Sequence, residues 1–173
     1  QTSEADCTLC AKGKYNELTT RTAESDCKDC PTGKYNGLKA QPAESSCNRC
    51  TAGKWSNETG LTLESQCTMC ESGYYSTSGD GQVAIDVCKP CLAGYYSTSG
   101  KGQISLDVCL ACVAGRYSTL GVGQSSIAEC DNKCTAGKWS DQTGLSLETE
   151  CTKCEAGYYS TSGVGQISIN VCV

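Results

Sequence analysis

The stretch Cys47-Asn48-Arg49-Cys50-Thr51-Ala52-Gly53-Lys54-Trp55-Ser56, followed by Cys67-Thr68-Met69-Cys70, decides how this chain is read. Two cysteines lie three residues apart, a glycine follows the second at +3, and an aromatic residue follows at +5. The pattern recurs in both directions. Cysteine pairs fall at Cys7/Cys10, Cys27/Cys30, Cys47/Cys50, Cys67/Cys70, Cys88/Cys91, Cys109/Cys112, Cys130/Cys134 and Cys151/Cys154, with Cys172 alone after them. The +3 glycines are Gly13, Gly33, Gly53, Gly73, Gly94, Gly115, Gly137 and Gly157. The +5 aromatics are Tyr15, Tyr35, Trp55, Tyr75, Tyr96, Tyr117, Trp139 and Tyr159. First cysteines step by 20 residues as far as Cys67 and by 21 from there to Cys172. A fixed period of this length marks a tandem array whose units bury their apolar surface only against one another.

One array over 1–173 is expected, with modules near 7–26, 27–46, 47–66, 67–87, 88–108, 109–129, 130–150 and 151–172. The extra residue in Cys130-Asp131-Asn132-Lys133-Cys134 leaves +3 and +5 intact when counted from Cys134, so each module is registered on its second cysteine. Shorter modules carry Gly-Lys-[Tyr/Trp] and longer ones Gly-[Tyr/Arg]-Tyr-Ser-Thr. The longer ones read as hairpins: Tyr74 to Thr77 as a strand, Gly79-Asp80-Gly81 as a turn, and the alternating Val83-Ala84-Ile85-Asp86-Val87 as the returning strand. Ile104 to Val108 and Ile167 to Val171 read the same way. Residues 51–79 and 135–163 are near-duplicates, 84 positions apart.

Composition sets the class. The 173 residues include 17 Cys and 19 Gly but no Phe and one Met, and mean hydropathy is −0.35. An ordinary apolar core cannot be assembled from these, and cysteine near one residue in ten is the mark of a disulfide scaffold in an oxidising compartment. The fold expected is small, disulfide-rich, all-β and irregular: an elongated array of hairpin-like modules of about 20 residues, a solenoid-like rod in which each module touches only its neighbours. Net charge is −5 with scattered basic residues, which argues against nucleic acid as a partner. No apolar run approaches the roughly 20 residues of a membrane span, so no membrane insertion is expected in this segment. Gln1 opens no signal-peptide pattern, and a processed chain or a fragment is expected.

If each second cysteine bonds the next first one, the bridges are Cys10–Cys27, Cys30–Cys47, Cys50–Cys67, Cys70–Cys88, Cys91–Cys109, Cys112–Cys130, Cys134–Cys151 and Cys154–Cys172, and Cys7 is unpaired or paired upstream. Two other connectivities stay open at this level. One bonds within each Cys-x-x-Cys, and the other couples modules in twos, Cys7 to Cys27 and Cys10 to Cys30. Under the first scheme each +5 aromatic is expected to pack near the adjacent disulfide and each +3 glycine to supply a tight or positive-φ turn.

Chemical readings are weaker. The Cys-x2-Cys spacing falls in the zinc-ribbon range, but zinc sites take two pairs and stop, whereas these run uninterrupted with an odd count and no His. A thioredoxin-like role lacks its βαβ setting. Without His, a Ser or Cys nucleophile loses its commonest base, so no enzyme and no cofactor is expected. Glu24, Glu44, Glu64 and Glu148 recur at loop ends and read as a solvated face. Lys14, Lys34, Lys54 and Lys138 read as hydrated, with cation–π cover of the rings as the alternative. Asn57-Glu58-Thr59 is an N-glycosylation sequon and its duplicate Asp141-Gln142-Thr143 is not. The Ser-Thr-Ser stretches 76–78, 97–99 and 160–162 offer hydroxyls for O-linked sugar, or simply favour strand.

The module Cys-x-x-Cys-x-x-Gly-x-[Tyr/Trp]-[Ser/Asn] resembles the ephrin-receptor-like (GCC2/GCC3) cysteine-rich repeat over essentially the whole chain. That resemblance implies a growth-factor-receptor or tumour-necrosis-factor-receptor type of cysteine-rich module in a secreted or cell-surface protein, with no catalytic residues to carry over. The function expected is a non-enzymatic extracellular structural rod in a filament, surface appendage or coat. Its partners would be further copies, other filament or surface proteins, and glycans. The alternative is a ligand-binding receptor ectodomain or a protist surface antigen.

Overall fold

The computed structural model describes residues 8–19 and 23–173; Cys7 lies outside them. The chain forms two compact units, one comprising residues 1–70 with 77–87 and the other 71–76 with 88–173. Residues 71–76 join the second unit because Tyr74–Tyr75 pairs with Lys89–Pro90.

In the first unit Lys14–Tyr15 pairs antiparallel with Lys28–Asp29, Lys34–Tyr35 with Asn48–Arg49, and Lys54–Trp55 with Thr68–Met69. In the second, besides Tyr74–Tyr75, Tyr95–Tyr96 pairs with Leu110–Ala111, Arg116–Tyr117 with Asn132–Lys133, and Lys138–Trp139 with Thr152–Lys153. The second strand of every ladder is the residue pair just before a second cysteine, six times the whole x-x of a Cys-x-x-Cys. This gives the motif a backbone reason. Residues three apart in an extended segment point to opposite faces, so the two sulfurs diverge, one toward the preceding loop and one toward the next. The extra residue before Cys134 is taken up ahead of the ladder. The 3-10 turn there lengthens to Ile127–Cys130, Asp131 adopts a right-handed helical conformation, and Asn132–Lys133 keeps the usual pairing.

A short 3-10 turn leads into each first cysteine described, and at Cys130 includes it: Glu24–Asp26, Glu44–Ser46, Glu64–Gln66, Ile85–Val87, Leu106–Val108, Ile127–Cys130, Glu148–Glu150 and Ile169–Val171. There is no α-helix among the described residues. The returning strands expected over Val83–Val87, Ile104–Val108 and Ile167–Val171 are therefore corrected: each ends in one of these turns. Ser105 Oγ accepts the Asp107 N–H (3.2 Å) and Ser168 Oγ the Asn170 N–H (3.2 Å), local bonds that curl the backbone. Ile85, Leu106 and Ile169 remain exposed, so no buried face rewards a strand there.

Candidate functional site: the repeated module junction

The cysteines form the centre of each junction. Cys10–Cys27, Cys30–Cys47, Cys50–Cys67, Cys91–Cys109, Cys112–Cys130, Cys134–Cys151 and Cys154–Cys172 are disulfides with Cα–Cα separations of 5.4 to 5.9 Å, and Cys70 and Cys88 are also disulfide-bonded. Neither alternative connectivity occurs among these pairs. With the sulfurs so engaged, no group of three or more metal-ligating side chains exists among the described residues.

The aromatic residue lies across the following disulfide. Tyr15 packs on Cys30 and Cys47, Tyr35 on Cys50, Cys67 and the buried Leu61, Tyr96 on Cys112 and Cys130, and Tyr117 on Cys134, Cys151 and Leu145. Its backbone is held on a second side by an isolated parallel bridge to the end of the next loop: Tyr15 to Gln41, Tyr35 to Leu61, Trp55 to Gln82, Tyr75 to Gln103, Tyr96 to Gln124, Tyr117 to Leu145 and Trp139 to Gln166. Tyr159 is different, 65% exposed against 8% for Tyr96. It pairs instead with Val173, its N–H donating to the Val173 carbonyl at 2.9 Å and its carbonyl accepting the Val173 N–H at 2.8 Å.

All eight +3 glycines have φ between 71° and 92°, a region that L-residues with a Cβ rarely enter. At several of them the surroundings are as restrictive as the φ. A Cβ on Gly33 would lie 2.5 Å from the Gly81 carbonyl oxygen, and one on Gly115 would lie 2.6 Å from that of Gly165, while Gly13, Gly73 and Gly94 face Gly60, Gly123 and Gly144 more closely still. These partners sit two modules further along. The expectation that a module touches only its immediate neighbours is thus corrected. Removing a side chain lets one backbone approach another directly, and the loop glycine is fixed there by its own N–H: Gly60 donates to Cys30 O and Gly81 to Cys50 O, each at 2.8 Å.

The Ser or Asn at +6 in the repeat carries no role that the sequence pattern reveals. Asn16, Asn36, Ser56, Ser76, Ser97, Ser118 and Ser140 are all at most 3% exposed. Ser97 Oγ is buried without a hydrogen-bond partner among the described residues. The side-chain oxygens of Asn16, Asn36, Ser56, Ser118 and Ser140 accept the N–H two residues on, as in Leu38 to Asn36 (2.9 Å), Glu58 to Ser56 (3.1 Å) and Gln142 to Ser140 (3.2 Å). This bond turns the chain out of the strand and satisfies a polar group that burial would otherwise strand. Burial also removes Ser76 and Ser97 as acceptors for O-linked sugar.

The lysine and glutamate series, read separately from sequence as hydrated groups, meet in space. Lys34 Nζ lies 2.7 Å from Glu44, Lys54 2.8 Å from Glu64 and Lys138 3.0 Å from Glu148; Lys14 pairs with Asp29 at 2.8 Å. The constant ten-residue spacing was the available signal. The ammonium of Lys54 and the hydroxyl of Thr51 hold the Glu64 carboxyl below its ordinary range, and Thr135 and then Lys138 do the same for Glu148. Glu150 is lowered by the backbone N–H groups of Leu147 and Ser146. Each is thereby kept as a charged acceptor, the reverse of what a general acid requires.

Where short modules begin the 3-10 turn with that glutamate, long ones begin it with Ile85, Leu106, Ile127 or Ile169, each 53% to 66% exposed. In the last module Ile169 and Tyr158 line a cavity of about 230 Å³ together with Trp139, Lys153 and Glu155.

No protein-family model matches the chain, and no curated protein matches it. The module junction combines a disulfide with an aromatic ring and, at Gly13, Gly33, Gly73, Gly94 and Gly115, a glycine-to-backbone contact, whereas an added Cβ on Gly137 or Gly157 would meet nothing within 4 Å; no helix among the described residues is long and apolar enough to cross a membrane.

Proposed function

We propose that this chain is a non-enzymatic structural segment of an extracellular filament, surface appendage or coat, built on ephrin-receptor-like cysteine-rich modules. The observation that carries this reading is the sameness of the junction. From Tyr15 to Trp139 the same parallel bridge joins each aromatic residue to the next loop, and the one irregular spacing, at Cys130 to Cys134, is absorbed without altering the ladder. A surface evolved to bind one soluble ligand concentrates its unusual residues in one place, whereas repetition spreads an identical surface along the chain. The exposed Ile85, Leu106, Ile127 and Ile169, one per long module, supply recurring apolar points for contact with further copies or other coat proteins. Disulfide density supports an oxidising, extracellular location.

Electron microscopy of the secreted, oxidised protein and of the native material tests the proposal. Filaments or ordered coats whose formation depends on protein concentration are expected. A monodisperse monomer that saturably binds a soluble ligand would overturn the reading in favour of a receptor ectodomain.

A further inference from the structure

We propose that Asn57 is a glycosylation site carrying one N-linked oligosaccharide; this rests on the reading of the chain as a secreted protein. The sequon Asn57-Glu58-Thr59 is exposed at all three residues and is separated from the strand Lys54–Trp55 by Ser56 alone. The backbone on either side of Asn57 is fixed by the buried Ser56, whose N–H donates to Gln82 O (3.0 Å) and whose Oγ accepts the Glu58 N–H (3.1 Å). The Asn57 side chain makes no hydrogen bond of its own among the described residues, so its amide is presented outward from a rigid frame. Position +7 is outward in other modules too: Glu17, Thr77, Thr98, Thr119, Asp141 and Thr161 are exposed. A substituent there displaces no disulfide, ring or ladder contact.

The duplicated module supplies an internal comparison. Ser140 donates to Gln166 O (3.0 Å) and accepts the Gln142 N–H (3.2 Å), the same frame, but it presents Asp141 instead of asparagine. In the transfer, the Asn57 amide nitrogen attacks C1 of a lipid-linked oligosaccharide pyrophosphate. The C1–Nδ2 bond forms, the C1–O bond breaks, one amide proton is lost, and the lipid pyrophosphate leaves with the bonding electron pair.

The test is peptide mass spectrometry of the 173-residue chain secreted from a eukaryotic host, before and after an amide-cleaving N-glycosidase. Expected are one glycan mass step that the enzyme removes with conversion of Asn57 to Asp, its loss in both Asn57→Gln and Thr59→Ala, and a second step in Asp141→Asn. Retained disulfides in the two loss variants show that the fold is intact. Secreted, oxidised protein with an unmodified Asn57 overturns the proposal, whether or not Asp141→Asn gains sugar. Failure to reach the medium in oxidised form would instead overturn the secretory reading on which it stands.

Discussion

Short and long modules close the same loop in two different ways. In the short module 47–66, Lys54 reaches Glu64 at 2.8 Å, and Thr51 Oγ1 donates to the same carboxylate oxygen at 2.6 Å. In the long module 88–108, Tyr95 stands where the lysine would be and Leu106 where the glutamate would be. The loop end is tied there by Gln103 Nε2 donating to Gly100 O at 3.0 Å. Gln82 and Gln166 make the same bond, to Gly79 and Gly163. Both loops nonetheless end in a 3-10 turn, a disulfide and the same ladder. Loop chemistry is therefore interchangeable, and the shared elements set the fold.

The largest expected effect treats both kinds alike. Full reduction should unfold both, and a strong chelator should leave both intact, as hydrogen exchange would show. Replacing Cys50 and Cys67 by Ser in a short module, or Cys91 and Cys109 in a long one, should cost about 3 kcal/mol each, since closing loops of 17 and 18 residues restricts the unfolded chain equally. Lost protection should reach two modules away, as the glycine contacts do. A short module that tolerates the loss far better than a long one would show that its ion pair, not its bridge, holds the loop.

Next come the glycines. Gly33→Ala and Gly94→Ala combine about 1–2 kcal/mol of positive-φ cost with a clash of about 1–3 kcal/mol against fixed backbone. Gly157→Ala, at φ 92° but with nothing within 4 Å of the added carbon, should show the first contribution alone. Denaturant titration of the three variants checks this; equal losses would mean that the two-module contact contributes nothing.

A smaller change is expected at +6. Ser56→Ala and Ser140→Ala remove the acceptor for a backbone N–H and should each cost about 1 kcal/mol, read as faster amide exchange at Glu58 and Gln142.

Acid should separate the two kinds most finely. The Glu64 and Glu148 carboxyls are lowered in the folded chain. Their contribution is therefore present above the unfolded glutamate pKa and fades as pH falls through the lower folded value. Both groups are solvent-exposed, so the effect is the weakest of the series. The Cys67 and Cys151 amides, bonded to Glu64 and Glu148 carbonyls, should lose protection on acidification, whereas Cys109, bonded to the Leu106 carbonyl, should not.

The repeat and the all-β, disulfide-rich class were legible because cysteine, glycine and aromatic positions recur at fixed counts from Cys10 onward. The strand expected at Val83–Val87 failed because five alternating residues fit an extended lead into a short 3-10 turn as well as a half-buried strand when neither face is covered. Lys54 and Glu64 looked independent because no helix or strand periodicity links residues ten apart; a loop brings them together. The contact of Gly33 with Gly81 had no local signal, since it depends on how successive modules stack. The buried Ser97 was hidden by its type, as serine is ordinarily a surface residue.

Because the approach of one glycine to another two modules on is backbone against backbone, it recognises no side chain. A module can be copied, deleted or exchanged as a whole while the seams on either side continue to fit, provided that the glycines and cysteines travel with it. The near-identity of 51–79 and 135–163, set among neighbours of quite different loop sequence, is what such interchangeable parts leave behind. Length can then change in whole steps of about twenty residues, a route to new reach that asks for no new contact chemistry.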